Sequence, residues 1–277
     1  MPRKKNTDKT RYGHVLVLAG SQGMIGAAIL TSRSSLESGA GLVTLGVPKS
    51  LESFIAKKSI PEAMLLGLPA TKNISLDFSA LKIVLSFIKQ RNIRCVALGP
   101  GLSLDPCTQR FVRALVKVVD VPVVLDADGL NSFAGKAQEL SEHHASLVMT
   151  PHAGEFRRIF SRRWPEDMQE RKRLAKNLSK SYDVVLVLKS HQTLVVERDK
   201  IYMNHTGNPG MAKGGAGDVL TGIIAAFIAQ GLEPFEAARW AVYFHGKAGD
   251  LAVHVKGELG LLASDIIKYL PQAFRKR

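Results

Sequence analysis

Cysteine is nearly absent from this chain. Cys95 and Cys107 are the two thiols in 277 residues, and no C-x-x-C pair exists. A disulfide scaffold and a thiolate zinc site are therefore not expected, and a reducing cytoplasm fits. Beyond the N-terminal region no stretch of 18 uncharged apolar residues occurs, so no transmembrane helix is expected. There is no G-x-x-x-x-G-K-[ST] string, which excludes a P-loop. Internal repeats, low-complexity segments and linkers are missing too, and a single domain over 1–277 is the expectation. Acidic residues are comparatively few: 24 Asp and Glu face 38 Lys and Arg, for a net charge of +14. The excess is concentrated in Arg3-Lys4-Lys5, Arg157-Arg158, Arg162-Arg163, Arg171-Lys172-Arg173 and Arg275-Lys276-Arg277. Residues 1–12 read as a flexible basic tail. A basic surface favours anionic partners, phosphorylated small molecules among them. Interleaved aromatics and helix-turn-helix, zinc-finger or RNP signatures are lacking, so no specific nucleic-acid partner is expected.

What is present is an ordinary globular composition, 45% hydrophobic and 22% charged. Basic residues before the apolar stretch 15–30 imitate a signal peptide, but Ser21-Gln22-Gly23 interrupts it. Val15 to Ala19 reads instead as a buried strand, followed by a glycine loop, Gly20 to Gly26, and a helix. The loop spacing is G-x-x-G-x-x-G, and no acidic residue is well placed about 20 residues on, so a dinucleotide-binding dehydrogenase fingerprint is rejected.

The chain is organised around residues 206–218, TGNPGMAKGGAGD. Four glycines from Gly210 to Gly217 lead into Asp218 and then into the apolar run Val219 to Ala229, which is spaced for a buried helix that closes at Gly231. Glycines let a backbone approach a ligand closely. The helix behind them aims unsatisfied N–H groups and a positive dipole end at the same point, where phosphate binds well. Asp218 at such a junction reads as a helix cap or as a base that takes a proton from a hydroxyl during phosphoryl transfer. The glycine count and the long buried helix favour the second.

Further glycine- and acid-bearing loops follow apolar strands. The strand Arg94 to Leu98 ends in Gly99-Pro100-Gly101, and Val121 to Leu125 ends in Asp126-Ala127-Asp128-Gly129-Leu130-Asn131. Leu147 to Met149 ends in Thr150-Pro151-His152-Ala153-Gly154-Glu155. Val184 to Leu188 ends in Lys189-Ser190-His191-Gln192-Thr193. In open α/β sheets ligands bind at the carboxyl ends of strands. Asp126, Asn131 and Glu155 are the candidates for water-mediated contact with Mg2+, and turn or helix-cap roles would explain the same residues. Helices are expected over Phe78 to Ile88, Gln109 to Val118, Arg162 to Asp183 and Pro234 to Ala252, with the last beginning at Ser264-Asp265. A loop is expected from Leu68 to Ser75, and Cys107 is placed in a loop.

Taken together, the segments 206–222, Gly20 to Leu30, Ser38-Gly39-Ala40-Gly41-Leu42-Val43, Gly99-Pro100-Gly101, Asp126 to Asn131, Thr150 to Glu155 and Lys189 to Thr193 resemble, in order, the ADP- or ATP-dependent NAD(P)H-hydrate dehydratases. These belong to the ribokinase-like superfamily. The resemblance spans about Gly13 to Leu270. It implies a ribokinase-like three-layer α/β sandwich with a mainly parallel sheet, Mg2+ with ADP or ATP as phosphoryl donor, and a homotetramer in the cytoplasm. ADP is the favoured donor. The implied substrates are hydrated NADH and NADPH, and the reaction phosphorylates the C6 hydroxyl and eliminates phosphate. The resemblance makes Asp218 the catalytic base. It makes Ala40, Gly101, His152 and Asp218 the substrate contacts, and Lys189, Ser190, His191, Gln192, Thr193, Gly215, Ala216 and Gly217 the nucleotide contacts. Ser190 stands where the family has glycine. Two rivals stay open: a kinase of the same fold acting on another alcohol, and a non-enzymatic nucleotide or nucleic-acid binder.

Overall fold

The computed structural model describes residues 6–58 and 60–275. Arg3-Lys4-Lys5 and Lys276-Arg277 lie outside them. Strands and helices alternate along most of the chain. His14–Leu18 (β1), Ile25–Glu37 (α1), Leu42–Pro48 (β2), Glu52–Lys58 (α2), Met64–Leu68 (β3), Ala80–Gln90 (α3), Cys95–Leu98 (β4) and Pro106–Val118 (α4) form the first half. Val123–Leu125 (β5), Ala127–Asn131 (α5), Leu147–Met149 (β6), Ala153–Phe160 (α6), Met168–Tyr182 (α7) and Val184–Leu188 (β7) follow. The chain ends with the hairpin Leu194–Glu197 (β8) and Lys200–Met203 (β9), then Ala216–Ala229 (α8), Pro234–Gly260 (α9) and Ala263–Phe274 (α10).

Among the described residues, nine strands make one sheet in the order β3-β2-β1-β4-β5-β6-β7-β8-β9, parallel as far as β7 and antiparallel beyond it. The inner strands are short apolar runs because helices cover both faces. Alternate residues serve opposite layers. Val15, Val17, Cys95, Ala97 and Val124 pack with α8 and its neighbours α1, α9 and α10. Leu16, Leu18, Val96, Leu98 and Leu125 pack on the other side with Val84 of α3, Phe111 of α4, Phe156 of α6 and Ala175 of α7. This is the expected three-layer α/β arrangement.

Helix α8 is apolar on every side, and every residue in it is buried except Gly217 and Asp218. It lies directly against α1, where Ser35 Oγ donates to the Gly222 carbonyl at 3.1 Å. The Thr31-Ser32-Ser34-Ser35 face of α1 is wholly buried and small enough to admit that approach.

Several elements differ from the sequence reading. The tail 1–12 is not flexible throughout: Lys9–Tyr12 forms a 3-10 turn, capped by Asp8 Oδ1 on the Thr10 N–H at 2.8 Å. The Gly41 N–H donates to the Tyr12 carbonyl at 3.1 Å, which ties this turn to the chain before β2. The polar helix begins at Met168 rather than Arg162, because Pro165 disfavours helix before it and Asp167 caps the Glu170 N–H at 2.8 Å. Helix α9 runs past Ala252 to Gly260, broken at Gly257 (φ 66°). Cys107 lies in the first turn of α4, not in a loop, and is exposed. Strands β2 and β3 were both hidden by glycine and proline.

Candidate active site

The carboxyl ends of β5, β6 and β7 and the start of α8 converge on one cleft of about 810 Å3. Its walls include Asp126, His152, Glu155, Lys189, Ser190, His191, Thr193, the stretch 206–209 and Gly214 to Asp218. Gly215 is the N-cap of α8 with φ 91°, a conformation that glycine adopts without strain, and no side chain caps the helix there. The first N–H groups of α8 therefore point into the cleft unsatisfied, apart from a long 3.4 Å bond from Ala216 N–H to the Lys213 carbonyl. An uncapped helix start of this kind is suited to an anion.

Asp218 is the third residue of α8. Burial, reinforced by the neighbouring Asp126 charge and opposed by Lys189, pushes its carboxyl up from 3.8 to about 6. A carboxylate so placed is ionised at neutral pH and is a better proton acceptor than an exposed aspartate.

A buried charge cluster lies beneath it. Lys189 Nζ donates to Asp126 Oδ1 at 2.7 Å and lies 3.8 Å from Glu155 Oε2. Burial alone would raise the Asp126 carboxyl, but the Lys189 ammonium and the hydroxyls of Thr150 and Thr221 outweigh it and hold it below its ordinary value. Burial would lower Lys189, yet Asp126 and Glu155 keep it above its ordinary value. Glu155 is raised, first by its own burial and also by Asp126, with Lys189 opposing.

His152 caps α6. Its Nδ1 accepts from the N–H of Gly154 at 2.9 Å and of Glu155 at 3.3 Å, while Glu155 Oε2 accepts from the His152 N–H at 2.9 Å. An Nδ1 that accepts twice leaves the proton on Nε2. Burial and the Lys189 charge hold the ring below its ordinary pKa, so it is neutral at pH 7.

The loop after β7 is closed on itself, with Thr193 Oγ1 donating to the Ser190 carbonyl at 3.0 Å. Ser190 has no positive φ, so its backbone does not require the glycine that the resemblance led us to expect. His191 and Thr193 line the cleft, whereas Gln192 is not among the lining residues. Gly101 stands at the same end of the sheet, packed against Met24 and Ala27. Ala40 does not: it precedes β2 at the amino ends of the strands, beyond the far end of α1, where its N–H bonds to the Ser35 carbonyl. Thirteen residues of α1 separate the two ends by about 20 Å at the usual rise. The small residue beside Gly101 is Ala27.

Asn131 bonds to Arg158 Nε at 2.7 Å through its Oδ1, and Asp126 and Glu155 are engaged as above. Among the described residues no group of three or more His, Cys, Asp or Glu side chains is arranged to hold a metal ion. The protein side chains alone do not fit a directly bound Mg2+. The free helix terminus and the glycine loop do fit a phosphate chain.

Other side chains that shape the cleft escaped sequence reading. Asp250 of α9 accepts from the Gly207 N–H and from Asn208 Nδ2, both at 2.9 Å, and Thr206 Oγ1 donates to the Tyr243 carbonyl at 2.8 Å. These bonds fix the glycine-rich segment to α9. The signal for Asp250 was a lone acid inside an otherwise small and apolar helical stretch.

Comparison with known proteins gives the family and the fold. A family model described as NAD(P)H-hydrate dehydratase matches residues 15–272. The chain belongs to the NAD(P)H-hydrate dehydratase family. It is 40% identical over 277 residues to the bifunctional NAD(P)H-hydrate repair enzyme Nnr of Moorella thermoacetica, covering 99% of this chain and 52% of that one. It is 33% identical over 269 residues to the ADP-dependent (S)-NAD(P)H-hydrate dehydratase of Neisseria meningitidis, covering 95% and 86%. This dehydratase-family chain thus spans about half the length of the bifunctional relatives it matches. Among solved structures, the ADP/ATP-dependent NAD(P)H-hydrate dehydratase of Bacillus subtilis, co-crystallised with ATP and Mg2+, superposes with a TM-score of 0.82 at 31% identity, covering 99% of this chain and 92% of that one. The architecture is ribokinase-like.

Proposed function

We propose that this protein restores NADH and NADPH from their (S)-C6 hydrates in a nucleotide-dependent dehydration. The observation that carries the reading is Asp218, a carboxylate shifted to about 6, standing on the uncapped N-terminus of α8 in the cleft. In this reading Asp218 accepts the proton of the C6 hydroxyl as that oxygen attacks the terminal phosphoryl group of ADP or ATP. The N–H groups at Gly215 to Gly217 hold the charge on the transferring oxygens. Expulsion of phosphate from C6, with loss of a proton from C5, then regenerates the C5–C6 double bond of the dihydropyridine ring. In this reading the half-exposed His152 ring, whose Nε2 faces Glu155 Oε1 at 3.3 Å, borders the hydrated dinucleotide, and Gly101 at the same end of the sheet is a further contact. The loop from Lys189 to Thr193 borders the nucleotide. Magnesium arrives with the nucleotide and supplies charge neutralisation on its phosphates.

ADP is the donor we favour, in keeping with the name of the Neisseria relative. We place the reaction in the cytoplasm, which the two free thiols support, and in a homotetramer, which light scattering tests. Absorbance at 340 nm is followed with purified hydrated NADH, Mg2+ and either nucleotide. A rise with one of them supports the reading and identifies the donor. Flat traces with both refute it and favour a kinase for another alcohol.

A further inference from the structure

Asp126 is 1% exposed, and different elements engage its two carboxylate oxygens. Oδ1 accepts from Lys189 Nζ at 2.7 Å, at the end of β7. Oδ2 accepts from Thr221 Oγ1 at 2.8 Å, one turn into α8. The anion loop rests on this assembly: a Cβ on Gly217 would stand 3.2 Å from Lys189 Nζ and 3.5 Å from Asp126 Oδ2. The backbone at the start of α8 thus lies beside the ion pair, close enough that a single added carbon would touch it.

Helix α8 needs such an anchor. A helix apolar on all sides is held by packing, which is non-directional and tolerates small rotations and slides. The Thr221–Asp126 bond is directional and fixes the rotation of the first turn. That rotation decides where Asp218 and the free N–H groups point.

We propose that Asp126 is a positioning residue, which sets the first turn of α8 through Thr221, and that it is not a ligand of the magnesium ion or its waters. The inference rests on the dehydratase reading above for its kinetic arm. Its structural arm does not depend on that reading.

Thr221→Val removes the hydroxyl, keeps the shape, and leaves the Asp126 carboxylate in place with its Oδ2 released. Misplacing a reacting group by an ångström can lower a rate about a hundredfold. Turnover in Thr221→Val should therefore fall by about ten- to a hundredfold, with KM for both substrates within about twofold of wild type. Thr221→Ser restores the donor and should recover most of kcat. The structural arm is amide hydrogen exchange of the peptide covering 219–222, whose N–H groups close the first turns of α8, with no nucleotide present. Exchange should quicken in Thr221→Val and return towards wild type in Thr221→Ser. Asp126→Asn still offers an oxygen to Lys189 and a donor to Thr221, so its Mg2+ half-saturation should match wild type. The proposal is overturned if Thr221→Val shows wild-type kcat and wild-type exchange. It is also overturned if Asp126→Asn raises the Mg2+ half-saturation tenfold or more and regains kcat at high Mg2+. An inactive wild-type protein would refute the dehydratase reading, and the exchange measurement would still decide the role of Asp126.

Discussion

Replacing Asp218 with Asn should make the protein more stable and inactive at once. Burial and the Asp126 charge lift the Asp218 carboxyl from 3.8 to about 6. The folded state therefore binds this proton more tightly than the unfolded chain does. The ionised form is penalised in the fold, so stability is lost as pH rises from the unfolded pKa through the folded one, and the full penalty applies above about pH 6. Two units or slightly more correspond to about 3 kcal/mol. Asn carries no charge at any pH and escapes the penalty. With about 2 cal/mol/K of unfolding entropy per residue over 277 residues, Asp218→Asn should melt about 5 °C above wild type at pH 8. The difference should shrink towards zero below about pH 4, where the wild-type carboxyl is neutral in both states. Turnover should fall by at least about a hundredfold, as expected for loss of a general base. The assay is a pair of melting curves at pH 4 and pH 8, with the 340 nm assay on the same samples. A gain in Tm equal at both pH values would refute the linkage. A fully active variant would refute the role of Asp218 as base.

Three further outcomes are expected. His152→Asn keeps an N-cap acceptor and should melt within about 2 °C of wild type while raising KM for the hydrated dinucleotide. Because the ring is held below its ordinary pKa, that defect should be flat between pH 7 and pH 9. If Gly101 contacts the substrate as proposed, Ala27→Leu, which crowds Gly101 at the carboxyl end of the sheet, should raise KM severalfold, whereas Ala40→Ser at the opposite end of the sheet should leave KM unchanged; the reverse pattern would restore Ala40 to the substrate site. Gly222→Ala drives a methyl into Ser34 Oγ and the Thr31 carbonyl, and should destabilise by about 3 kcal/mol through overpacking, seen as a lowered denaturant midpoint.

The strands between β4 and β7 were legible because a parallel sheet covered on both faces needs uninterrupted apolar runs, such as Val184 to Leu188. β2 and β3 were not, since Gly46, Pro48 and Gly67 break the pattern at the sheet's edge side, where Met64 is 39% exposed. The loops around Asp218, His152 and Lys189 were legible as glycine-, proline- and charge-bearing strand ends. Long-range partnerships were not. Thr221 looks like one more helical residue until the fold brings Asp126 to it across 95 positions. Ala40 shows the converse. The resemblance implied a substrate contact there, but the residue lies in the turn that feeds β2, and only the direction of the strands reveals which end of the sheet it occupies.

The reversal of strand direction after β7 has a consequence for how the cleft is assembled. Every earlier return to the carboxyl end of the sheet requires a crossover helix, so Gly101, Asp126 and His152 arrive from segments far apart in the chain. The β8–β9 hairpin brings the chain back at once, and the Asn204 N–H bonds to the Thr193 carbonyl at 2.9 Å. One continuous segment, 189–218, therefore supplies the half of the cleft that the proposed function assigns to the nucleotide. Contacts close in sequence form quickly, and those between distant segments form late. The half assigned to the nucleotide should organise during folding before the half assigned to the dinucleotide, and α8 is the element on which the two are joined.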